Sequence, residues 1–378
     1  MSKVLKFFKK EIMLTVSLSA AVAALFITPP TKSLIKDIDW HTLATLFMML
    51  TVLEGFKSEN IFEPVIKLSS HLKSMCGLSF FLIFGVFFSS MFVTNDVSLI
   101  IFVPLTILLF KSGNKEKYIL PVISMENIAA VRGSMLTPFG SPQNLFIFGK
   151  SGISVQKFLL HMLPLCALSG ILLCGFIFFL YRKNIKEEII INKSESLAEG
   201  KGNYKRIFYI VLFCVVVWEI VSRTTLWPFV ALFVLFAVTV FDRKILLKTD
   251  YVLILTFLCF FVFSSSVTAN PAISKFLSVT VANREYFWGI LLSQAISNVP
   301  AAIVLYPFAK NIPALLYGVD TAGLCTLIGS LASVINYRIY VKEYPQNGKQ
   351  FIITFTKWSM AFFLFVVIPG YLLSFWQF

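Results

Sequence analysis

The feature that most constrains this chain is a succession of apolar runs long enough to cross a bilayer. These lie at about 12–30, 40–57, 118–150, 156–181, 206–222, 225–241, 250–269, 313–341 and 350–376, where a spanning helix needs about 20 residues. Two further runs, 75–110 and 284–309, are interrupted in the middle by polar residues and read as hairpins that enter and return on one side. Hydrocarbon offers no partner to a free peptide group, so segments of this kind are expected to be helical throughout. Only 14% of residues are charged, against about 25% in soluble domains. The formal charge of +14 does not point to nucleic acid, because the basic residues sit at the ends of apolar runs; the lipid bilayer is the expected partner. Cys76, Cys166, Cys174, Cys214, Cys259 and Cys325 lie within apolar runs without CxxC spacing and read as small buried hydrophobes. The basic start, Lys3, Lys6, Lys9 and Lys10, leads into an apolar run of about 18 residues that reads as a retained anchor rather than a cleaved signal.

Orientation follows from the basic residues. With a cytoplasmic N-terminus, nine crossings and both hairpins re-entrant, one side collects 24 Lys and Arg and the other 8, with Arg132 left inside. That asymmetry obeys the positive-inside rule and puts the C-terminus outside. A polar stretch rich in Lys, Glu, Ser and Gly separates two halves. The expected organisation is residues 1–181, a cytoplasmic linker at 182–205, and residues 206–378.

The halves carry the same signatures in the same order. Asp39-Trp40 opens a span in the first and Asp250-Tyr251 in the second; Thr94-Asn95-Asp96 is answered by Ser297-Asn298-Val299-Pro300. Thr137-Pro138-Phe139-Gly140-Ser141 is matched by Thr326-Leu327-Ile328-Gly329-Ser330, with Asn144 and Ser333 equally far from the repeated Thr. Under the topology above the paired spans run in opposite directions, so the repeat is inverted. Paired interruptions in two halves point to a transporter binding site.

The breaks have their own chemistry. A helix that stops inside a membrane frees peptide groups; Gly permits the turn, Pro forces it, and Ser, Thr and Asn are expected to cap the ends. Half-helix N-termini offer positive partial charge to an anion, while C-termini and side-chain oxygens suit Na⁺ or a proton carrier. The expected substrate and ion site is therefore Thr94, Asn95, Asp96, Thr137, Gly140, Ser141, Asn144, Ser297, Asn298, Thr326, Gly329 and Ser330. Glu126 and Arg132 are intramembrane charges with a coupling or structural role, the structural version pairing Arg132 with Asp96 or Glu126. Glu219, four residues before Arg223, reads as half of a surface pair; Glu54 and Asp320 fall towards span ends and carry no functional expectation. His41, His71 and His161 are scattered, so metal ligation is confined to Na⁺, and no GxxxxGK[ST] loop for ATP is present. No cofactor is expected beyond a coupling ion, H⁺ or Na⁺.

On three stretches the chain resembles the ion transporter superfamily, in its citrate-permease-like and arsenite/sodium-antiporter-like bacterial members. They are Phe92-Val93-Thr94-Asn95-Asp96-Val97, Gly133 through Asn144 (including the Gly140-to-Asn144 Gly-x-Pro-x-Asn element), and Ser293 through Pro300. The resemblance runs from Asp39 to Tyr340. It implies an all-α membrane protein: an inverted-repeat transporter with two re-entrant hairpins, two discontinuous helices, a homodimer, and elevator-type movement in the bacterial inner membrane. Dicarboxylate-carrying relatives have Ser-Asn-Thr at both tips. Here Asn95 and Asn298 carry over and the third-position Thr does not. An acid at that place repels a carboxylate unless it is protonated or paired with Arg132.

The expected function is secondary transport of a small anion, carboxylate or inorganic, coupled to H⁺ or Na⁺. The alternative is a cation/proton antiporter or metalloid efflux carrier on the same fold, with Asp96 as the exchanging acid. An enzyme would need a nucleophile with its base or a metal cluster, and a channel is usually made symmetric by subunits rather than by an inverted repeat.

Overall fold

The structure, a computed structural model, describes residues 11–29, 34–61, 72, 74–185, 187–189, 203–222 and 225–376. Lys3, Lys6, Lys9, Lys10, Lys32, Lys67, Lys73, His71, Arg223 and most of the 182–205 linker lie outside the described residues. The first half contains α1 (Ile12–Ile27), α2 (Leu34–Asp37), α3 (Trp40–Ser58), α4 (Met75–Val93), α5 (Asn95–Ser112), α6 (Ile119–Ser134), α7 (Pro142–Ser151) and α8 (Val155–Tyr181). After the linker come α9 (Asn203–Ser222), α10 (Trp227–Leu246), α11 (Tyr251–Ala269), α12 (Pro271–Val281), α13 (Glu285–Ile296), α14 (Asn298–Leu305), α15 (Ile312–Ala322), α16 (Leu331–Glu343) and α17 (Gly348–Leu373).

The repeat is visible at the level of single bonds. Asp39 caps α3 by accepting from Thr42 N at 3.1 Å, and Asp250 caps α11 by accepting from Leu253 N at 3.0 Å. Such caps satisfy one free N–H of the first turn, for about 1 kcal/mol each. α4 and α5 form one hairpin across Thr94, and α13 and α14 the other across Ser297; the two tip residues share a backbone conformation, φ 71°, ψ 154° and φ 72°, ψ 159°. α6 and α7 are one helix broken between Ser134 and Pro142, and α15 and α16 another broken between Ala322 and Leu331. Ser141 and Ser330 leave the breaks with nearly equal angles, φ −149° in both.

The halves interlock rather than abut. α4 lies along α6 and α13 along α15, while α5 packs on α16 and α14 on α7. α1 packs on α11 and α10 on α3. Helices α6 and α15 are buried on all sides, the place for a helix without a solvent face. The lipid-facing periphery is α8, α10 and α17, which expose Phe178, Phe179, Phe229, Phe236, Phe365 and Ile368.

Several local expectations change. The arms α4 and α5 have 19 and 18 residues, about 28 Å each and enough to cross alone. Their tip nevertheless stops at the first break, where Thr137 Oγ1 donates to the Met91 carbonyl. Beyond that break α7 continues for 10 residues, about 15 Å. The arms α13 and α14 are shorter, at 12 and 8 residues. The short helix α12 joins α11 to the second hairpin, with Phe276 and Val279 exposed. Among the cysteines only Cys166 and Cys325 are buried, and Cys214 is exposed on the outside of α9, because an apolar run facing lipid need not bury its thiols. Glu219 is fully buried and bonded to His41 at 2.7 Å, inside the fold rather than at its surface, and its expected partner Arg223 lies outside the described residues.

Residues 187–189 close over the base of the first hairpin. Met75 N donates to Glu187 O at 2.9 Å, and Ile189, buried, sits against Gly113. The Glu187 carboxylate takes Lys115 Nζ at 2.7 Å and the Tyr118 hydroxyl. Those hydrogen bonds, Lys115 first, hold its carboxyl down at about 2. A carboxyl lowered on folding stabilises above its unfolded value of about 4.3 and loses that contribution as pH falls towards the folded value. Hydrogen exchange over 187–189, taken relative to the intrinsic rate, is therefore expected to stay constant down to about pH 4 and to accelerate below it. In Lys115→Ala the acceleration should begin at higher pH; an onset unmoved by that substitution would contradict the arrangement.

Candidate functional site

Four helices begin at the tips and breaks: α5 at Asn95, α7 after Ser141, α14 at Asn298 and α16 after Ser330. Because α5 packs on α16 and α14 on α7, the second arm of each hairpin lies against the far half of the other repeat's broken helix. Each start carries about half a positive charge in unsatisfied N–H groups, offset at α5 by the Asp96 carboxyl in its first turn.

The caps expected there are missing. Thr94, Ser297, Ser141 and Ser330 make no side-chain cap, although Ser74, Ser154, Asn270 and Asn311 do so at other helix starts. The Asn95 side chain accepts from Asp96 N at 2.9 Å, and Ser297 Oγ donates to Asn298 Oδ1 at 3.4 Å. Ser141 Oγ is buried without a hydrogen-bond partner. At α5 one first-turn N–H, that of Asp96, is thus taken by the Asn95 side chain, while the four cap residues themselves leave the first-turn N–H groups uncapped.

Each break is tied to its own hairpin at the same register. Thr137 donates to Met91, three residues before Thr94; Thr326 Oγ1 donates at 2.7 Å to Gln294 Oε1, three residues before Ser297. Gln294 also donates to Ala322 O at 3.1 Å. Asn144 folds the first break by reaching the carbonyls of Ser134, Met135 and Thr137 at 3.4, 3.2 and 3.4 Å. Gly140 and Gly329 are needed for close approach, since a Cβ at either would strike the carbonyl oxygen of Ser134 or Ala322. The two breaks differ in cover: Thr137 is buried whereas Thr326 and Ile328 are exposed.

The charges arrange themselves differently from the expectation. Arg132 pairs with neither Asp96 nor Glu126. Its Nε donates to Ser169 Oγ at 3.1 Å and its Nη1 to the main-chain oxygen of Asp320 at 3.2 Å. Glu126 accepts from the Thr106 hydroxyl and so ties α6 to α5. Asp96 sits in the first turn of α5 with Oδ1 unpartnered, within electrostatic reach of Asp250. The reason is register: Arg132 stands in the last turn of α6, where it is turned towards α8 and α15.

Sequence reasoning passed over three residues that knit the repeats together. Asp320 is 1% exposed and its Oδ1 accepts from Gln143 Nε2 at 2.9 Å. Asn127 Nδ2 donates to Ser333 Oγ at 3.0 Å, the matching link from the other broken helix. The available signal was the repeat itself, since Arg132 lies five residues before Thr137 and Asp320 six before Thr326.

The citrate transporter family model matches residues 5–324. Inner membrane protein YbiR of Escherichia coli is 30% identical over 380 residues, covering 97% of this chain and 95% of that protein. An uncharacterized transporter of Methanocaldococcus jannaschii is 32% identical over 305 residues, covering 80% and 81%. The crystal structure of the Alcanivorax borkumensis YdaH transporter, described as having an unusual topology, superposes with a TM-score of 0.56 at 11% identity and covers 96% of both chains; that likeness concerns the fold alone. With its paired hairpins, its two broken helices and a family match over most of its length, this multi-pass membrane protein belongs to the citrate transporter family of the ion transporter superfamily.

Proposed function

We propose that the protein is a secondary active transporter of a small anion, carboxylate or inorganic, coupled to H⁺ or Na⁺. The observation that carries this reading is the set of four helix N-termini left without side-chain caps at the tips and breaks; open N–H groups and aligned dipoles favour an anion. Thr94, Asn95, Asp96, Thr137, Gly140, Ser141, Asn144, Ser297, Asn298, Thr326, Gly329 and Ser330 line the site in this reading, with Asn95 and Asn298 as its central polar side chains. Its two units are residues 1–181 and 206–378, joined by a cytoplasmic linker. It works as a homodimer in the bacterial inner membrane, N-terminus cytoplasmic and C-terminus outside, as the 24-to-8 distribution of Lys and Arg supports. A second reading, a cation/proton antiporter or metalloid efflux carrier, draws on the unpartnered Asp96 oxygen in the first turn of α5.

The test is uptake into proteoliposomes of citrate and a panel of small carboxylates and inorganic anions, with and without Na⁺ and at two pH values. Asn95→Ala and Asn298→Ala should each lower uptake by about tenfold or more, since a hydrogen bond to a charged group is worth about 1.5–3 kcal/mol. Unchanged transport in both, or export of cations in place of anion uptake, would overturn the assignment.

A further inference from the structure

Behind the tips, a polar cluster joins the two broken helices where no solvent reaches. Arg132, fully buried, stands in the last turn of α6. Asp320 stands two residues before the end of α15, and Gln143 is the second residue of α7. Three of the four half-helices that frame the breaks therefore meet in one group.

The cluster is incomplete in a particular way. Arg132 spends Nε on Ser169 and Nη1 on the peptide oxygen of Asp320, leaving Nη2 without a partner. The Asp320 carboxyl spends Oδ1 on Gln143 and leaves Oδ2 without a partner. The spare donor and the spare acceptor belong to neighbouring residues of opposite charge. Leaving either unmade at this depth costs about 1–3 kcal/mol. Two arrangements remove that cost. In one, Nη2 moves onto Oδ2 and the pair closes as a charge-assisted hydrogen bond. In the other, Oδ2 carries a proton, and Arg132 stays on the peptide oxygen as seen here.

The groups facing the pair narrow the choice of what drives it. α8 brings Ser169 and Cys166, α13 brings Tyr286, α7 brings Gln143 and Asn144, and α15 itself adds Tyr317 and Thr321. α17 places Gly370 alongside Thr321. Among these groups Arg132 carries the charge, and the others are neutral hydroxyl, thiol and amide side chains.

We propose that Asp320 is the proton-coupling carboxyl of this transporter, and that Arg132 and Asp320 form a two-state latch between the broken helices. The proton leaves Oδ2, the carboxylate takes the Nη2 hydrogen, and the end of α6 is drawn to the end of α15; reprotonation releases it. The coupling role rests on the transport reading, whereas the latch can be tested without a substrate.

The experiment is hydrogen–deuterium exchange on the full chain in nanodiscs at one acidic and one alkaline pH, corrected for intrinsic exchange. Over residues 135–141 and 323–330, wild type should show protection that rises with pH, roughly tenfold for one pH unit across a single-proton transition. Asp320→Asn should hold the acidic value at both, and Glu54→Gln, which removes a carboxyl paired with Lys57 away from the breaks, should behave as wild type. Asp320→Asn with wild-type pH dependence, or wild type with none, overturns the latch. If Asp320→Asn does not fold, Arg132→Lys decides: a single ammonium cannot hold the peptide oxygen and Oδ2 with the same fork, so the pH response must shrink, and an unchanged response overturns the proposal. Uptake driven by Na⁺ alone beside an intact latch would count against proton coupling, and proton-driven uptake without a latch would count against Asp320 only.

Discussion

Gly133→Ala is expected to cost the protein most of its folded yield. Gly133 lies where α6 crosses α4, and a methyl group there would fall on the main-chain oxygen of Phe87 and on Ser90 Oγ. The obstruction is mostly backbone, so no rotamer change relieves it and the two helices must separate. Overpacking in a tight core costs about 1–3 kcal/mol when side chains can yield, and the upper end or beyond applies here. Small residues let membrane helices approach this closely, and the second half repeats the device: a Cβ on Gly318 of α15 would meet the Tyr286 carbonyl of α13. Gly175 on α8 is the control, with nothing within 4 Å of its would-be Cβ. Gly175→Ala should leave the thermal midpoint in detergent unchanged or slightly raised, since alanine is the better helix former by about 1 kcal/mol. Gly133→Ala should lower that midpoint sharply and reduce the monodisperse fraction on size exclusion. Equal behaviour of the two variants would show that the α4–α6 crossing does not depend on the glycine.

That crossing shows which parts of the architecture can be read in the residues. Spans, hairpins and breaks were legible because the bilayer demands apolar length and self-satisfied backbone, and because Gly140, Ser141, Gly329 and Ser330 interrupt that demand in matched order. The tip motifs located the breaks and hairpins for the same reason. The fate of the charges was not legible. Arg132 could be seen inside the membrane, but its partner depends on which face of α6 it occupies and on how two distant helices cross, and hydropathy carries neither. Asp320 looked like a span end because a broken helix resembles a short one when only composition is counted. The Thr, Ser and Asn residues were legible as break formers but not as uncapped ones; their missing cap bonds come from backbone angles that spacing does not reveal.

Thr94→Gly and Ser297→Gly are expected to stabilise the protein while loosening its tips. Both residues have positive φ with ψ near 155°, at φ 71°, ψ 154° and φ 72°, ψ 159°, a region essentially restricted to glycine and costing about 1–3 kcal/mol for other residues. Neither side chain caps the helix that follows. What holds the turn is the helix start: Thr94 O accepts from Ser98 N at 3.2 Å and from Ser98 Oγ at 3.0 Å, and Ser297 O accepts from Ala301 N at 3.1 Å. Glycine removes the strain but frees the unfolded chain, which returns about 0.5–1 kcal/mol of the gain. The net expectation is a rise of up to about 2 kcal/mol per tip, read as a higher thermal midpoint. The two should add, because the tips belong to different hairpins. Alanine separates the causes: Thr94→Ala keeps the strained angles and removes the hydroxyl, so it should not stabilise. The same substitutions should speed hydrogen exchange at Asn95 and Asn298 and lower uptake, because a tip that is no longer confined presents those amides in many orientations instead of one. Glycine variants no more stable than the alanine ones would mean the tips are unstrained, and strain could then have no part in holding the two asparagines in place.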